Sequence, residues 1–370
     1  MKILHIASFI GNAGDILSNE GLSKFFRNSK NKTFKVTNLE IRNFYKNRPE
    51  GTRLSFDEVL ENAFHKFDRV LIGGGGFLDY WVEDSFTGTT IEISPHILRK
   101  YGNRLIISSV GAFPHRQVPY KNLQKFTNFL YELQDNNTAL MFRNDGTLKH
   151  LKSQFDVSVT NGLSEAGDHC YLLAGEFAIS GISEKNKPYI AVNVSPDQLV
   201  MQSSLRGAID PSNFYNSLAK TLYQTADALQ ADIKFVPHLP VDFSAISELC
   251  ELMPDLFVRE NVSVHVYSGK RDILNSIYDV YQNALLSVCG RLHANILSII
   301  LDRPTVSLGI LDRVTSISQQ HSNSVLLGDL DTDFSDSLMK ASINAMAKPI
   351  DGRATQIKHK IENFLSPLMF

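Results

Sequence analysis

The segment Cys289-Gly290-Arg291-Leu292-His293 follows a short apolar run, 284–288, and precedes an apolar helical pattern. A guanidinium at a helix start adds to the partial positive charge of the free backbone N–H groups, and the pair suits an anion. Its planar fork grips a phosphate or carboxylate through two hydrogen bonds. An imidazole two residues on can trade protons near neutral pH. His293 also shares a helical face with Ile296, Leu297, Ile300 and Leu301, so a packed core histidine is the competing reading.

Three other loops offer complementary chemistry. Gly11-Asn12-Ala13-Gly14-Asp15 follows the first apolar run and opens a helix. Its glycines let backbone approach a ligand, and Asp15 serves either a substrate hydroxyl or the helix N-cap. Gly73-Gly74-Gly75-Gly76 follows Val70-Leu71-Ile72. Such a run costs chain entropy and makes sense where a ligand, or another chain segment, sits against bare backbone. Asp79 beyond it suits a sugar hydroxyl or plain solvent. Gly111-Ala112-Phe113-Pro114-His115-Arg116 brings either cleft cations or a surface basic pair. The dinucleotide fingerprint G-x-G-x-x-G is incomplete, which disfavours a NAD-dependent oxidoreductase.

These loops need strands to carry them. The first half reads as strands over 2–9, 33–39, 69–72, 104–110, 139–143 and 157–160. Helices over 15–26, 56–66, 94–101, 120–134 and 146–153 alternate with them. A second series has strands over 189–194, 233–237, 262–267, 284–288 and 305–308. Its helices are 213–230, 245–252, 272–281 and 293–301. The alternation predicts an α/β fold with two Rossmann-like domains, each a parallel sheet, facing a central cleft. The expected domains are 1–182, on the acceptor side, and 183–350, carrying Arg291 and His293, with 180–188 as linker. A tail helix, 351–370, packs on one or the other.

The chain has 370 residues, 43% hydrophobic and 21% charged, enough for a sizeable core. A net charge of -2 gives no basic field for nucleic acid, so no nucleic-acid partner is expected. Cys170, Cys250 and Cys289 are too few and too scattered for a disulfide scaffold or a cysteine zinc site. The apolar start is too short for a signal-peptide core, and no run is long enough for a transmembrane segment. A cytoplasmic protein is expected, with peripheral membrane contact left open and the oligomeric state undetermined. No convincing metal-binding motif is present; the acidic stretch 329–333 reads as a solvated loop.

Taken together, Gly11-Asn12-x-Gly14-Asp15, Gly73–Gly76 with Asp79, Arg143-Asn144-Asp145, and Arg291-Leu292-His293-Ala294 with Arg303-Pro304-Thr305-Val306 resemble the polysaccharide pyruvyl transferases. The likeness runs over roughly residues 1 to 315. It implies a fold similar to GT-B glycosyltransferases. It also implies transfer of a pyruvyl group from phosphoenolpyruvate to two hydroxyls of a sugar, giving a pyruvate ketal on a cell-surface polysaccharide or its precursor. Arg291 and His293 then serve donor binding and catalysis, and Arg143 matches a further donor-binding arginine. His115, Arg116 and His238 are carried as donor-side groups, and Asp15 as a catalytic carboxylate. Gly11, Asn12, Gly14, Gly74, Gly75, Gly76 and Asp79 are carried as acceptor or loop-backbone contacts. The segments 79–90 and 195–210, with Arg206, are further acceptor-side candidates. No cofactor is implied beyond phosphoenolpyruvate as donor substrate, and the acceptor is a sugar or glycan, free, nucleotide-linked or lipid-linked. Rival readings are a nucleotide-sugar glycosyltransferase and a non-catalytic sugar or nucleotide-binding protein.

Overall fold

In the computed structural model, all residues are described except 30–31, 50, 177–186, 207–208, 329, 331–332, 349–351 and 370, and the side chains of 203–206. The chain divides into two compact units. The first holds Met1–Phe9, Ser18–Leu172 and Ile357–Phe370. The second holds Ile10–Leu17 and Leu173–Gln356. The expected linker and the expected 182/183 boundary lie in or beside 177–186, outside the described residues. Within the acidic stretch, 329, 331 and 332 are also outside them.

The first unit is built on strands β1 (Lys2–Ala7), β2 (Lys35–Glu40), β3 (Arg69–Gly75), β4 (Leu105–Val110), β5 (Ala139–Phe142) and β6 (Ser164–Glu165). They form one parallel sheet in the order β2-β1-β3-β4-β5-β6. β4 is buried at every position, as expected of a strand covered on both faces. Its helices start where the sequence provides caps: Ser55 accepts from Glu58 N, and Ser94 from Ile97 N with Pro95 next. Helix Tyr120–Asp135 buries Asn122, Phe126, Phe129, Leu130 and Leu133, one stripe at helical spacing. The tail helix Arg353–Met369 has most of its length in this unit, and Arg69 Nε donates to the Leu368 carbonyl at 3.2 Å.

The second unit carries β7 (Tyr189–Asn193), β8 (Asp232–Phe235), β9 (Val262–Val264), β10 (Leu286–Cys289), β11 (Thr305–Leu308) and β12 (Ser324–Leu327). They too are parallel, in the order β12-β11-β10-β7-β8-β9. Its core joins β7, β8, β10 and β11 to helix Pro211–Ala228, through residues such as Ile190, Val192, Phe214, Leu218, Ile233 and Val288.

Among the expected elements, one needed correction. Val157-Ser158-Val159-Thr160, rich in β-branched residues, reads as a strand but forms one helical turn. The free edge of β5 is taken by β6, and the Asp156 carbonyl accepts from Val159 N and Thr160 N instead. The strands β6 and β12, and helices Pro196–Arg206, Asp255–Asn261, Asp312–Ser318 and Ser335–Ala347, were not anticipated.

A polar pair lies deep in the first unit. His5 and His169 are almost fully buried. His169 Nε2 lies 2.8 Å from Ser108 Oγ, and its backbone N donates to Ser109 Oγ at 2.9 Å. Ser109 adopts a left-handed φ of 57° where the β4–β5 register shifts. Burial, with some mutual repulsion, pushes His5 down to about 3; burial pushes His169 down to about 4. Both are neutral in the folded chain, whereas the unfolded chain protonates them near 6.5. Their contribution to stability is complete above that value and is lost as pH falls from 6.5 towards 4, each by up to ~1.4 kcal/mol per pH unit. Urea denaturation at pH 7 and pH 5 should show a marked loss at the lower pH, with the slope reduced in His5→Gln.

Candidate functional site

In an open parallel sheet, ligands collect beyond the carboxyl ends of strands where the strand order reverses. In the second unit that point lies between β7 and β10: the chain runs outward through β8 and β9, then returns for β10 to β12. The loop after β7 is 194–195 and the loop after β10 is 290–291. Asn193 ties these ends together. Its Oδ1 accepts from Arg291 N at 3.0 Å, its Nδ2 donates to the Val236 carbonyl at 2.9 Å, and its carbonyl accepts from Gly290 N at 2.8 Å.

Arg291 therefore stands at the N-cap of helix Leu292–Ile300, as the sequence suggested. Its guanidinium is held by two carboxylates. Nε contacts both oxygens of Asp242 at 3.1 and 3.0 Å, and Nη2 also reaches Asp242. Nη2 donates to Asp197 Oδ1 at 2.6 Å, with Nη1 3.4 Å from Oδ2. Asp242 is itself anchored, accepting from His238 N at 2.9 Å and Leu239 N at 3.1 Å. Side-chain exposure is 8% for Arg291, 1% for Asp242 and 27% for Asp197. Burial alone would lower the guanidinium pKa; the two carboxylates more than offset it, and the net direction is upward.

His293, two residues on, is buried in the same unit, and its imidazole lies against Gly14. A Cβ at position 14 would come within 2.3 Å of His293 Nδ1, so glycine is what admits the ring. The Gly11–Asp15 loop meets its own unit elsewhere: Gly11 N donates to the Gly269 carbonyl at 2.7 Å, and Tyr267 Oη donates to the Gly11 carbonyl at 2.7 Å. The helix begins at Ala13, with Gly14 N donating to Asn12 Oδ1 at 2.9 Å. Asn12, not Asp15, is thus the cap, and Asp15 sits in the first turn. His238 is fully buried, with Nε2 3.0 Å from Tyr281 Oη. Burial first, then the charge of Arg291, hold its pKa well below the ordinary range, so it brings no positive charge at neutral pH.

The first unit has its own cluster, beyond the carboxyl ends of β3, β4 and β5. Arg143 is 4% exposed and donates from Nε to Asp145 Oδ2 at 2.6 Å; Nη1 lies 3.9 Å from Asp168 Oδ2. Burial again opposes its charge, and Asp145, Asp168 and Asp79 outweigh that, raising its pKa. Asp79 is 3% exposed, accepts from Phe113 N at 2.9 Å, and lies 3.0 Å from His115 Nδ1. His115 meets Trp81 edge-on, and the Arg116 guanidinium sits 4.4 Å from the Trp81 ring centre. Gly111 leaves room for Arg143: a Cβ there would approach Nη2 to 2.6 Å.

The chain's own groups occupy the space that the glycine run leaves. A Cβ at Gly73 would meet the Ser108 carbonyl, and one at Gly75 the Phe77 ring. Gly74 has a φ of 86°, and Gly76 faces Asp79. Arg291, His293, His238, Gly11, Asn12, Gly14 and Asp15 fall in the second unit; Arg143, His115, Arg116, Asp79 and Gly74–Gly76 in the first. Arg206 ends helix Pro196–Arg206, and its side chain is outside the described residues. Sequence reasoning placed Trp81 and Asp197 inside the candidate segments 79–90 and 195–210 without singling them out, and did not single out Asn193 or Asp242. The available signal was an Asp in the first turn of each helix that follows β7 and β8. Among the described residues, no group of three or more His, Cys, Asp or Glu could hold a metal ion, and no helix is long and apolar enough to cross a membrane.

A family model described as Polysaccharide pyruvyl transferase matches residues 12–312. No curated protein matches significantly. Solved structures resemble the chain in fold. UDP-GlcNAc 2-epimerase from Methanocaldococcus jannaschii is 12% identical, with TM-score 0.59, covering 100% of this chain and 99% of that one. The Neisseria meningitidis UDP-GlcNAc 2-epimerase bound to UDP-GlcNAc is 10% identical, with TM-score 0.54 and 100% of both chains covered. Anabaena HepE in complex with UDP is 14% identical, with TM-score 0.53, over 99% of this chain and 100% of that one. These likenesses support the α/β, two-domain, GT-B-type architecture.

Asp242→Ala leaves a buried guanidinium short of its anchor and should cost roughly 3–5 kcal/mol in chemical denaturation. Asp197→Ala, at the more exposed partner, should cost clearly less. Equal losses would contradict the distinction between anchor and outer partner.

Proposed function

Because the chain belongs to the polysaccharide pyruvyl transferase family, we propose that it moves the pyruvyl carbons of phosphoenolpyruvate onto two hydroxyls of one sugar. The product is a cyclic pyruvate ketal on a cell-surface polysaccharide or its precursor, and inorganic phosphate is released. The observation that carries this reading is Arg291 at the start of helix Leu292–Ile300, with His293 in that helix's first turn, at the reversal point of the second sheet.

The donor carries close to three negative charges, which are costly to desolvate without cations. Arg291 and the N–H groups of the helix start supply that counter-charge in the second unit. In the reaction the methylene carbon gains a proton and C2 becomes electrophilic. One sugar hydroxyl forms a bond to C2; the C2–O bond to phosphate breaks; the second hydroxyl closes the ring. Of the two hydroxyl protons lost, one balances the new methyl group and the other leaves with phosphate. His293 is the proton-transfer group in this scheme. In the first unit, Asp79 and His115 form a polar pair of a kind that binds sugar hydroxyls.

The rival nucleotide-sugar reading draws on the solved neighbours that hold UDP or UDP-GlcNAc, whose likeness extends to the fold. Thermal shift separates the two: stabilisation by phosphoenolpyruvate supports pyruvyl transfer, and stabilisation by UDP alone overturns it. A panel of glycans incubated with phosphoenolpyruvate, read by product mass and phosphate release, then identifies the acceptor. His293→Ala should lower turnover by a factor of about 10² to 10⁴ while phosphoenolpyruvate still stabilises the protein. Arg291→Lys should raise the KM for phosphoenolpyruvate, since the planar fork is lost. Near-normal turnover in His293→Ala would return that residue to a packing role.

A further inference from the structure

The charge count around Arg291 poses a problem for any anion. One guanidinium faces two carboxylates, Asp242 and Asp197, so the cluster is already net negative before a ligand arrives. His238, buried and neutral, does not correct this. An incoming anion is repelled by both carboxylates, the more so in a partly buried site. A phosphate cannot join this cluster cheaply; it must replace one of its members.

The geometry identifies which one. Asp242 is 1% exposed, grips the Nε side, and is tied to two backbone N–H groups. Asp197 is 27% exposed, and the hydrogen bonds of its oxygens run to the two terminal nitrogens. That edge is the one a phosphate grips through two parallel hydrogen bonds. Asp197 stands in the first turn of helix Pro196–Arg206, where a change of side-chain rotamer releases the guanidinium without moving the helix. Next to it in sequence, Ser195 Oγ and Gln198 Oε1 are buried with no hydrogen-bond partner among the described residues. Unpaired polar atoms of this kind are uncommon in folded proteins and call for a partner. A phosphate in the place of Asp197 offers Ser195 Oγ an acceptor that the carboxylate does not supply.

We propose that Asp197 is the resident counter-ion of Arg291, displaced by a phosphate-bearing dianion and retained against a simple monoanion. A monocarboxylate exchanging with Asp197 replaces one carboxylate–guanidinium pair by another and gains nothing for its own ordering. A phosphate brings a second charge and a third acceptor oxygen, and so drives the exchange. Asp197 thereby sets selectivity for the intact donor over pyruvate, its dephosphorylated form. The identity of that donor rests on the pyruvyl-transfer reading; the counter-ion role does not.

The test uses the full chain as wild type, Asp197→Asn and Asp197→Ser, each checked for folding by circular dichroism. Calorimetric titrations use sulfate and pyruvate as dianionic and monoanionic probes, and phosphoenolpyruvate as donor. Removing the counter-ion should tighten pyruvate binding at least tenfold, narrow the sulfate-to-pyruvate preference, and lower the KM for phosphoenolpyruvate about threefold or more. The gain should vanish in the double variant Arg291→Ala, Asp197→Asn, which assigns it to this guanidinium. Unchanged or weaker binding of both probes in both folded variants overturns the proposal. Tighter sulfate and pyruvate binding without any response to phosphoenolpyruvate, in wild type or variant, upholds the counter-ion and overturns the pyruvyl-transfer reading instead.

Discussion

A guanidinium cannot be buried without carboxylates, and the Asp242–Arg291–Asp197 cluster is where the second unit meets that requirement. Taking a charged side chain out of water is costly, and the cost is offset only when its hydrogen-bonding capacity is filled at good geometry. Asp242 fills the Nε side and is held rigid by His238 N and Leu239 N. Asn193 adds the backbone of Arg291 to the same framework and joins the ends of β7, β8 and β10. The start of helix Leu292–Ile300, buried over its whole length, is fixed as a result. His293 inherits its position from that helix and from the bare face of Gly14.

The first unit solves a similar problem differently. Arg143 is surrounded by Asp145, Asp168 and Asp79, all between 1% and 4% exposed. No member of that set has the exposure of Asp197, so the cluster reads as a fixed scaffold. Its variable part is the rim, where Asp79 touches His115 and where Arg116 covers Trp81. Both clusters stand at the carboxyl ends of parallel strands, where loops are free to differ while the sheet keeps its shape.

Glycine placement links sequence to these arrangements. The run Gly73–Gly76 is explained by the chain itself: the Ser108 carbonyl, Phe77 and Asp79 occupy the space that side chains would need. Gly111 and Gly14 do the same for Arg143 and His293. A glycine-rich loop thus signalled close approach correctly, while its neighbours turned out to be parts of the protein.

The amino-acid sequence by itself determined the alternation of strands and helices, because apolar runs and helical stripes such as Phe126, Phe129 and Leu130 are local properties. It also placed Arg291 at a helix start, since a strand, a glycine and an apolar helix follow in fixed order. Tertiary structure decided what lies far apart in the chain. That Arg291 pairs with Asp242 and Asp197, that His293 lies on Gly14, and that 157–160 coils because β6 holds the edge of β5 all depend on strand order. Local spacing carries no record of which distant segments the sheet brings together, and charge pairing is settled only there.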